Sequence, residues 1–107
     1  MNSDRIQQLI KLRETDPIDS FVSYALALEY FKVGDFHLSE QIFSDLMVKD
    51  PEYVGIYFHF GRLYEAMDDK EKAKKVYQQG ILICKKLNDI HSLSELTSAL
   101  QNLEIDE

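Results

Sequence analysis

Pro17 and Pro51 lie 34 residues apart, and the same offset relates Tyr30 to Tyr64 and Asp35 to Asp69. Aromatic and small side chains also match at that distance: Tyr24 with Phe58, Ala27 with Gly61, Ser39 with Ala73, and Phe43 with Tyr77. A period of this length belongs to a repeated supersecondary unit. Each unit buries its apolar face against the next, so the two ends of such an array need terminal helices to cover them.

Within each period the apolar residues recur at helical spacing. Ile6, Leu9, Ile10 and Leu12 predict a first helix over about 3–15. Asp16-Pro17 reads as a helix start, with Asp as N-cap and Pro in the first turn, and the second helix runs to about Val33. Gly34 then serves as the C′ residue and Asp35 as the next N-cap. The third helix ends near Lys49, and Asp50-Pro51 repeats the start signal for a fourth that ends near Met67. Asp68-Asp69 takes the place of Gly34-Asp35 before a fifth helix over about 70–87. Asn88-Asp89 marks another break. Ser92-x-x-Glu95 reads as a capping box for the sixth helix, and the tail Ile105-Asp106-Glu107 is expected to fray. Four Gly and two Pro in 107 residues fit long helices rather than a turn-rich β fold.

The 34-residue helix–turn–helix pattern resembles the tetratricopeptide repeat, W-x2-L-G-x2-Y, then A-x3-F, then P. The second repeat reads Tyr57-x2-Phe60-Gly61-x2-Tyr64, then Ala73-x3-Tyr77, with Gly80 at the next small position. The first reads Ser23-x2-Leu26-Ala27-x2-Tyr30, then Ser39-x3-Phe43, then Pro51. Ser23 departs from the large aromatic, Leu46 from a small residue, and Lys85 stands where a second proline would be. The resemblance implies an all-α fold, a right-handed superhelix of six helices in antiparallel pairs. It divides the single domain into a flanking helix over 3–15, repeats over 17–50 and 51–87, and a capping helix over 88–104. Leu93, Leu96 and Leu100 would cover the stack, while Asp89, Glu95, Gln101, Asn102 and Glu104 face water.

Composition narrows the function. Net charge is −7, and residues 87–107 hold five acids and no base. That balance argues against nucleic acid, whose phosphates reward bases. Residues 70–86 carry Lys70, Lys72, Lys74, Lys75, Lys85 and Lys86 against one Glu71. The run reads as a solvated helix face or as a dock for an acidic segment. The N-terminus lacks the basic and apolar regions of a signal peptide. No apolar run approaches membrane-spanning length, and one cysteine cannot form an internal disulfide. A cytoplasmic protein without a membrane partner is expected. Cys84 reads as a buried structural thiol. His37, His59 and His91 form no ligand spacing, so no metal is expected, and no cofactor loop or catalytic motif appears. A binding module, a scaffold or adaptor, is expected rather than an enzyme.

The family's groove positions fall on Phe21, Tyr24, Leu28 and Phe31 in the first repeat and on Phe58, Arg62 and Glu65 in the second. The first four are spaced 3, 4 and 3, which places them on one helical stripe. The opposite stripe, Val22, Ala25, Leu26 and Tyr30, serves helix packing. His59 falls near the inner face of its helix. The resemblance implies a peptide or helix of a partner protein held in that groove. A stripe covered by the sixth helix, or by a second copy in a homodimer, is the alternative. Some family members clamp a chaperone's C-terminal carboxylate with Lys, Asn and Arg. The corresponding places here hold Tyr24, Leu28 and His59, so that function is not expected.

Overall fold

Three of the five helix breaks close in the same way. At each one a residue enters the left-handed region, Gly34 at φ 85°, Asp68 at φ 60° and Asn88 at φ 58°. The next amide then turns back onto the preceding helix: Asp35 N–H donates to the Tyr30 carbonyl, Asp69 to Tyr64 and Asp89 to Cys84, each at 2.9 Å. This geometry satisfies carbonyls that a helix end leaves open. The aspartate that follows each break caps the next helix. Asp35, Asp69 and Asp89 accept from the amides of Leu38, Lys72 and Ser92.

The computed structural model describes residues 2–105, with side chains from Asp4 onward. Asp106 and Glu107, where fraying was expected, lie outside the described residues. Six helices are present and no strand occurs among the described residues. They are α1 (Asn2–Thr15), α2 (Ser20–Lys32), α3 (Phe36–Lys49), α4 (Gly55–Ala66), α5 (Lys70–Leu87) and α6 (Ile90–Ile105).

Three start signals differ from expectation. Asp16-Pro17 does not open α2. The Asp19 amide donates to the Asp16 carbonyl at 3.2 Å, so Asp16 and Pro17 lead a β-turn. Asp19 is the N-cap, accepting from the amides of Phe21 and Val22. Asp50-Pro51 likewise leads a turn closed by Tyr53, and α4 begins after Val54 without a side-chain cap. Asp50 instead accepts from the Ser20 hydroxyl at 2.5 Å. At α6 the cap is Asp89, with Ser92 as its donor, so Ser92-x-x-Glu95 is not a capping box.

The chain divides at Tyr53/Val54 into two compact units. In the first, α2 packs against both α1 and α3. Its core joins Ile6 and Leu9, then Val22, Ala25, Leu26 and Ala27, then Ile42, Phe43 and Leu46. Ala27 and Ser39 are fully enclosed, and the Ser39 hydroxyl donates to the Ala27 carbonyl at 2.8 Å. Two small residues at the crossing let the backbones approach that closely. The Glu29 carboxylate is also buried, and Arg5 Nε at 3.3 Å and Lys32 Nζ at 3.1 Å compensate it. An unpaired carboxylate there would be costly, so this pairing ties α1 to α2.

In the second unit Ile56, Tyr57, Phe60 and Leu63 meet Ala73, Val76, Tyr77 and Cys84. Phe60 and Tyr64 stack with centroids 4.6 Å apart. Gly61 lies against the Tyr77 ring, and Gly80 lies against Tyr57 and Leu96. Helix α6 covers this core with Leu96, Ala99 and Leu103. The expected set was Leu93, Leu96 and Leu100. The two stripes share Leu96 and diverge by about one residue per turn. The stripe through small Ala99 lets α6 close on α5, and it leaves Leu93 and Leu100 half-exposed.

Candidate protein-binding site

The expected stripe on α2 is present within the first unit. Val22, Ala25 and Leu26 point into the core, and Tyr30 is half-buried. On the other side Phe21 is 60% exposed, and Tyr24, Leu28 and Phe31 are half-buried. Two of these rings are held by neighbours. Tyr24 meets Phe43 edge-on at 6.5 Å and lies 5.2 Å from the Tyr53 ring. Phe31 meets Phe36 edge-on at 5.6 Å. Such contacts hold the two rings in place. The Tyr53 hydroxyl has its pKa raised, first by burial and then by Asp19 and Asp50. Phe36 and Tyr53 flank helix breaks, outside any periodic stripe, and the period alone does not single them out.

In the second unit Phe58 is half-buried and Arg62 exposed, one turn apart on α4. The guanidinium lies 5.8 Å from the centroid of the Phe58 ring, a cation–π arrangement that steers the fork. These two side chains form one wall of an open cleft of roughly 370 Å³. Ser94, Glu95, Ser98 and Asn102 of α6 form the other. The cleft thus has one aromatic and cationic side and one side of hydroxyls, an amide and a carboxylate. Ser94, Ser98 and Asn102 were not among the expected site residues. Their signal is a polar stripe at spacings of four along α6.

Glu65 is engaged within the unit. Its carboxylate accepts a hydrogen bond from the Tyr77 hydroxyl. Burial, and then that bond, hold the Tyr77 hydroxyl far above the usual tyrosine range. His59 is half-buried with its ring 5.4 Å from Phe58. Burial lowers its pKa; Glu95 opposes the shift and Arg62 adds to it. His91 stands 3.7 Å from Glu95 near the cleft mouth. No group of three or more His, Cys, Asp or Glu side chains is placed to hold a metal among the described residues. No helix among them is long and apolar enough to cross a membrane.

Paired helices joined by capped turns, with small residues at the crossings, define an α-helical repeat protein. The tetratricopeptide-repeat model matches residues 54–89. A tetratricopeptide repeat domain protein from Salinibacter ruber is 39% identical, with a TM-score of 0.82 over 86% of this chain and 93% of that one. The chain belongs to the tetratricopeptide-repeat family. Two more distant structures share the fold. The TPR2B domain of yeast Sti1, in complex with pHsp70, is 14% identical with a TM-score of 0.90, covering 99% of this chain and 85% of that one. The first such domain of Spaghetti, bound to an HSP90 peptide, is 21% identical with a TM-score of 0.81, covering 98% and 79%. No curated protein matches the chain.

Proposed function

We propose that the chain is a protein-interaction module that binds a peptide or helix of a partner protein. Phe21, Tyr24, Leu28 and Phe31 are the contact residues in the first unit, and Phe58, Arg62 and Glu65 are those in the second. The observation that carries the reading is the cleft beside Phe58 and Arg62, whose aromatic and cationic groups the core does not consume. Aromatic and Arg side chains supply most of the energy at interfaces. An amphipathic helix, or an extended apolar segment with one acidic residue, satisfies the aromatic surface and the guanidinium together. Glu65 acts differently from Arg62. Its carboxylate is bonded to Tyr77, so it is held in place at the border of the surface. Two family relatives are seen with pHsp70 and with an HSP90 peptide, which fits a peptide ligand as a class. Tyr24, Leu28 and His59 at the carboxylate-clamp positions argue for a different peptide chemistry here. Each repeat presents a short surface, so an affinity of about micromolar is expected.

The test is a quantitative pull-down from the native host, comparing three proteins. The Tyr24→Ala, Phe58→Ala double variant is expected to lose the partners that the parent retains, with circular dichroism showing its helices intact. Arg62→Glu is expected to weaken capture several-fold. A variant with Gln at Lys70, Lys72, Lys74, Lys75, Lys85 and Lys86 is expected to keep the same partners. Loss by the lysine variant and retention by the aromatic one would move the binding surface to α5. If the aromatic variant loses only copies of itself, the alternative of self-association through that face is the correct one.

A further inference from the structure

The aromatic stripe of the first unit has an acidic border. Phe21, in the first turn of α2, is 60% exposed, and Tyr24 follows one turn on, half-buried. The Tyr53 ring stands 5.2 Å from the Tyr24 ring and is tilted by 52°, so the stripe continues onto the turn after α3. Two half-buried carboxylates adjoin these rings, Asp19 and Asp50. Both help to raise the pKa of the Tyr53 hydroxyl, which sets each within Coulombic reach of it. The Ser20 hydroxyl donates to Asp50 at 2.5 Å and so ties the start of α2 to the end of α3.

Each carboxylate has one oxygen in use and one to spare. Asp19 Oδ1 accepts from the amides of Phe21 and Val22, and Asp50 Oδ2 accepts from Ser20. Asp19 Oδ2 and Asp50 Oδ1 meet no donor among the described residues. The segments 16–23 and 45–53 hold Asp16, Asp19, Asp45, Asp50 and Glu52 against Lys49. That lysine is engaged, its Nζ 3.1 Å from Asp45 Oδ2. The helix ends oppose one another, since the start of α2 is partly positive and the end of α3 partly negative. The sign of the patch is therefore set by its carboxylates.

A purely apolar occupant would strip water from both carboxylates without replacing it, and an acidic one would be repelled. A cationic side chain supplies donors for the two spare oxygens, and aromatic faces attract it as well. We infer that the first unit receives a lysine or arginine of the partner segment against Asp19, Asp50 and Tyr53, with an adjacent apolar residue of that segment on Phe21 and Tyr24. This rests on the reading of the α2 stripe as a contact surface and adds the chemistry of what meets it. The two units then read opposite charges, because Arg62 in the second selects an acid.

Selection of a displayed random-peptide library on the purified chain tests this. Lysine and arginine are expected to be enriched several-fold, beside apolar residues, in the peptides retained. The most enriched peptide, made synthetically, is then the probe for titration by fluorescence anisotropy. Asp19→Asn and Asp50→Asn remove charge yet keep an acceptor for the α2 amides and for Ser20, and Asn caps a helix as well as Asp does. Each is expected to weaken the peptide about tenfold with an unchanged melt. Gln in place of the basic residue of the peptide is expected to cost the parent as much and the Asn variants little. Asp35→Asn, which removes a charge at the cap of α3, is expected to leave binding unchanged. An equal loss there would reduce the effect to net charge and overturn the proposal. Peptides without basic enrichment whose binding Phe21→Ala abolishes would overturn it too, while leaving the α2 stripe as a contact surface. Binding that survives Phe21→Ala, or a library from which nothing is retained, would overturn the contact surface and this proposal together.

Discussion

Gly61→Leu is expected to lower stability by about 3 kcal/mol or more, whereas Arg62→Ala at the next position leaves it nearly unchanged. The two residues lie on different faces of α4, Gly61 buried and Arg62 exposed. Gly61 is buried, and even a Cβ there would lie 2.5 Å from Tyr77 Cζ. The Tyr77 ring has nowhere to go. It is fully buried, and its hydroxyl is bonded to Glu65, so yielding would break that bond inside the unit. Leucine adds three more carbons to the same space and must push α4 from α5. Gly80→Ala is the companion case. Its Cβ would meet Tyr57 near the backbone and Leu96 at 2.9 Å. Atoms so close to the α4 backbone move only with the helix, so the usual gain of about 1 kcal/mol from Gly to Ala in a helix is outweighed. Urea titration measures both. For a domain near this size, 3 kcal/mol corresponds to a drop of about 12–24 °C in Tm. Equal, small effects at Gly61 and Arg62 would show that α4 is rotated from the orientation described.

Removing residues 88–107 is expected to be comparably damaging. The deletion takes away Leu96, Ala99 and Leu103 and uncovers the α5 surface that they bury. Burying a leucine side chain is worth about 1.5–3 kcal/mol, offset in part by the conformational entropy of ordering the helix. A net loss of a few kcal/mol is large against a total stability of about 5–15 kcal/mol. The bared surface is apolar, so aggregation should accompany the lower Tm in thermal melts read by light scattering. A truncated chain that stays monomeric with an unchanged Tm would mean that α6 contributes nothing to the core.

Sequence periodicity was enough to expose the architecture because the repeat states each signal twice. The breaks at Gly34-Asp35 and Asp68-Asp69 were legible since a left-handed residue followed by a capping aspartate has one structural use here. Asp16-Pro17 was ambiguous. Asp beside Pro suits the first turn of a helix and the lead of a β-turn equally well, because both exploit the same proline φ. Only the position of Asp19 decides between them, and an aspartate three residues further on is weak evidence by itself. The α2 stripe was readable from its spacing, but the engagement of Glu65 by Tyr77 was not. That bond links residues twelve apart on different helices, beyond the reach of any helical period. The Arg5–Glu29 pair was hidden for the same reason. Which face of α6 turns inward was also illegible, since Leu96 belongs to both stripes and Ala99 gave no apolar emphasis.

The single cysteine of the chain has an experimental use. Cys84 is fully enclosed, and burial, then Asp89, raises its thiol pKa, so the nucleophilic thiolate is suppressed twice over. Its rate of alkylation in native buffer is therefore a clock for the opening of the second unit. It needs no introduced label and stays silent while only the first unit unfolds.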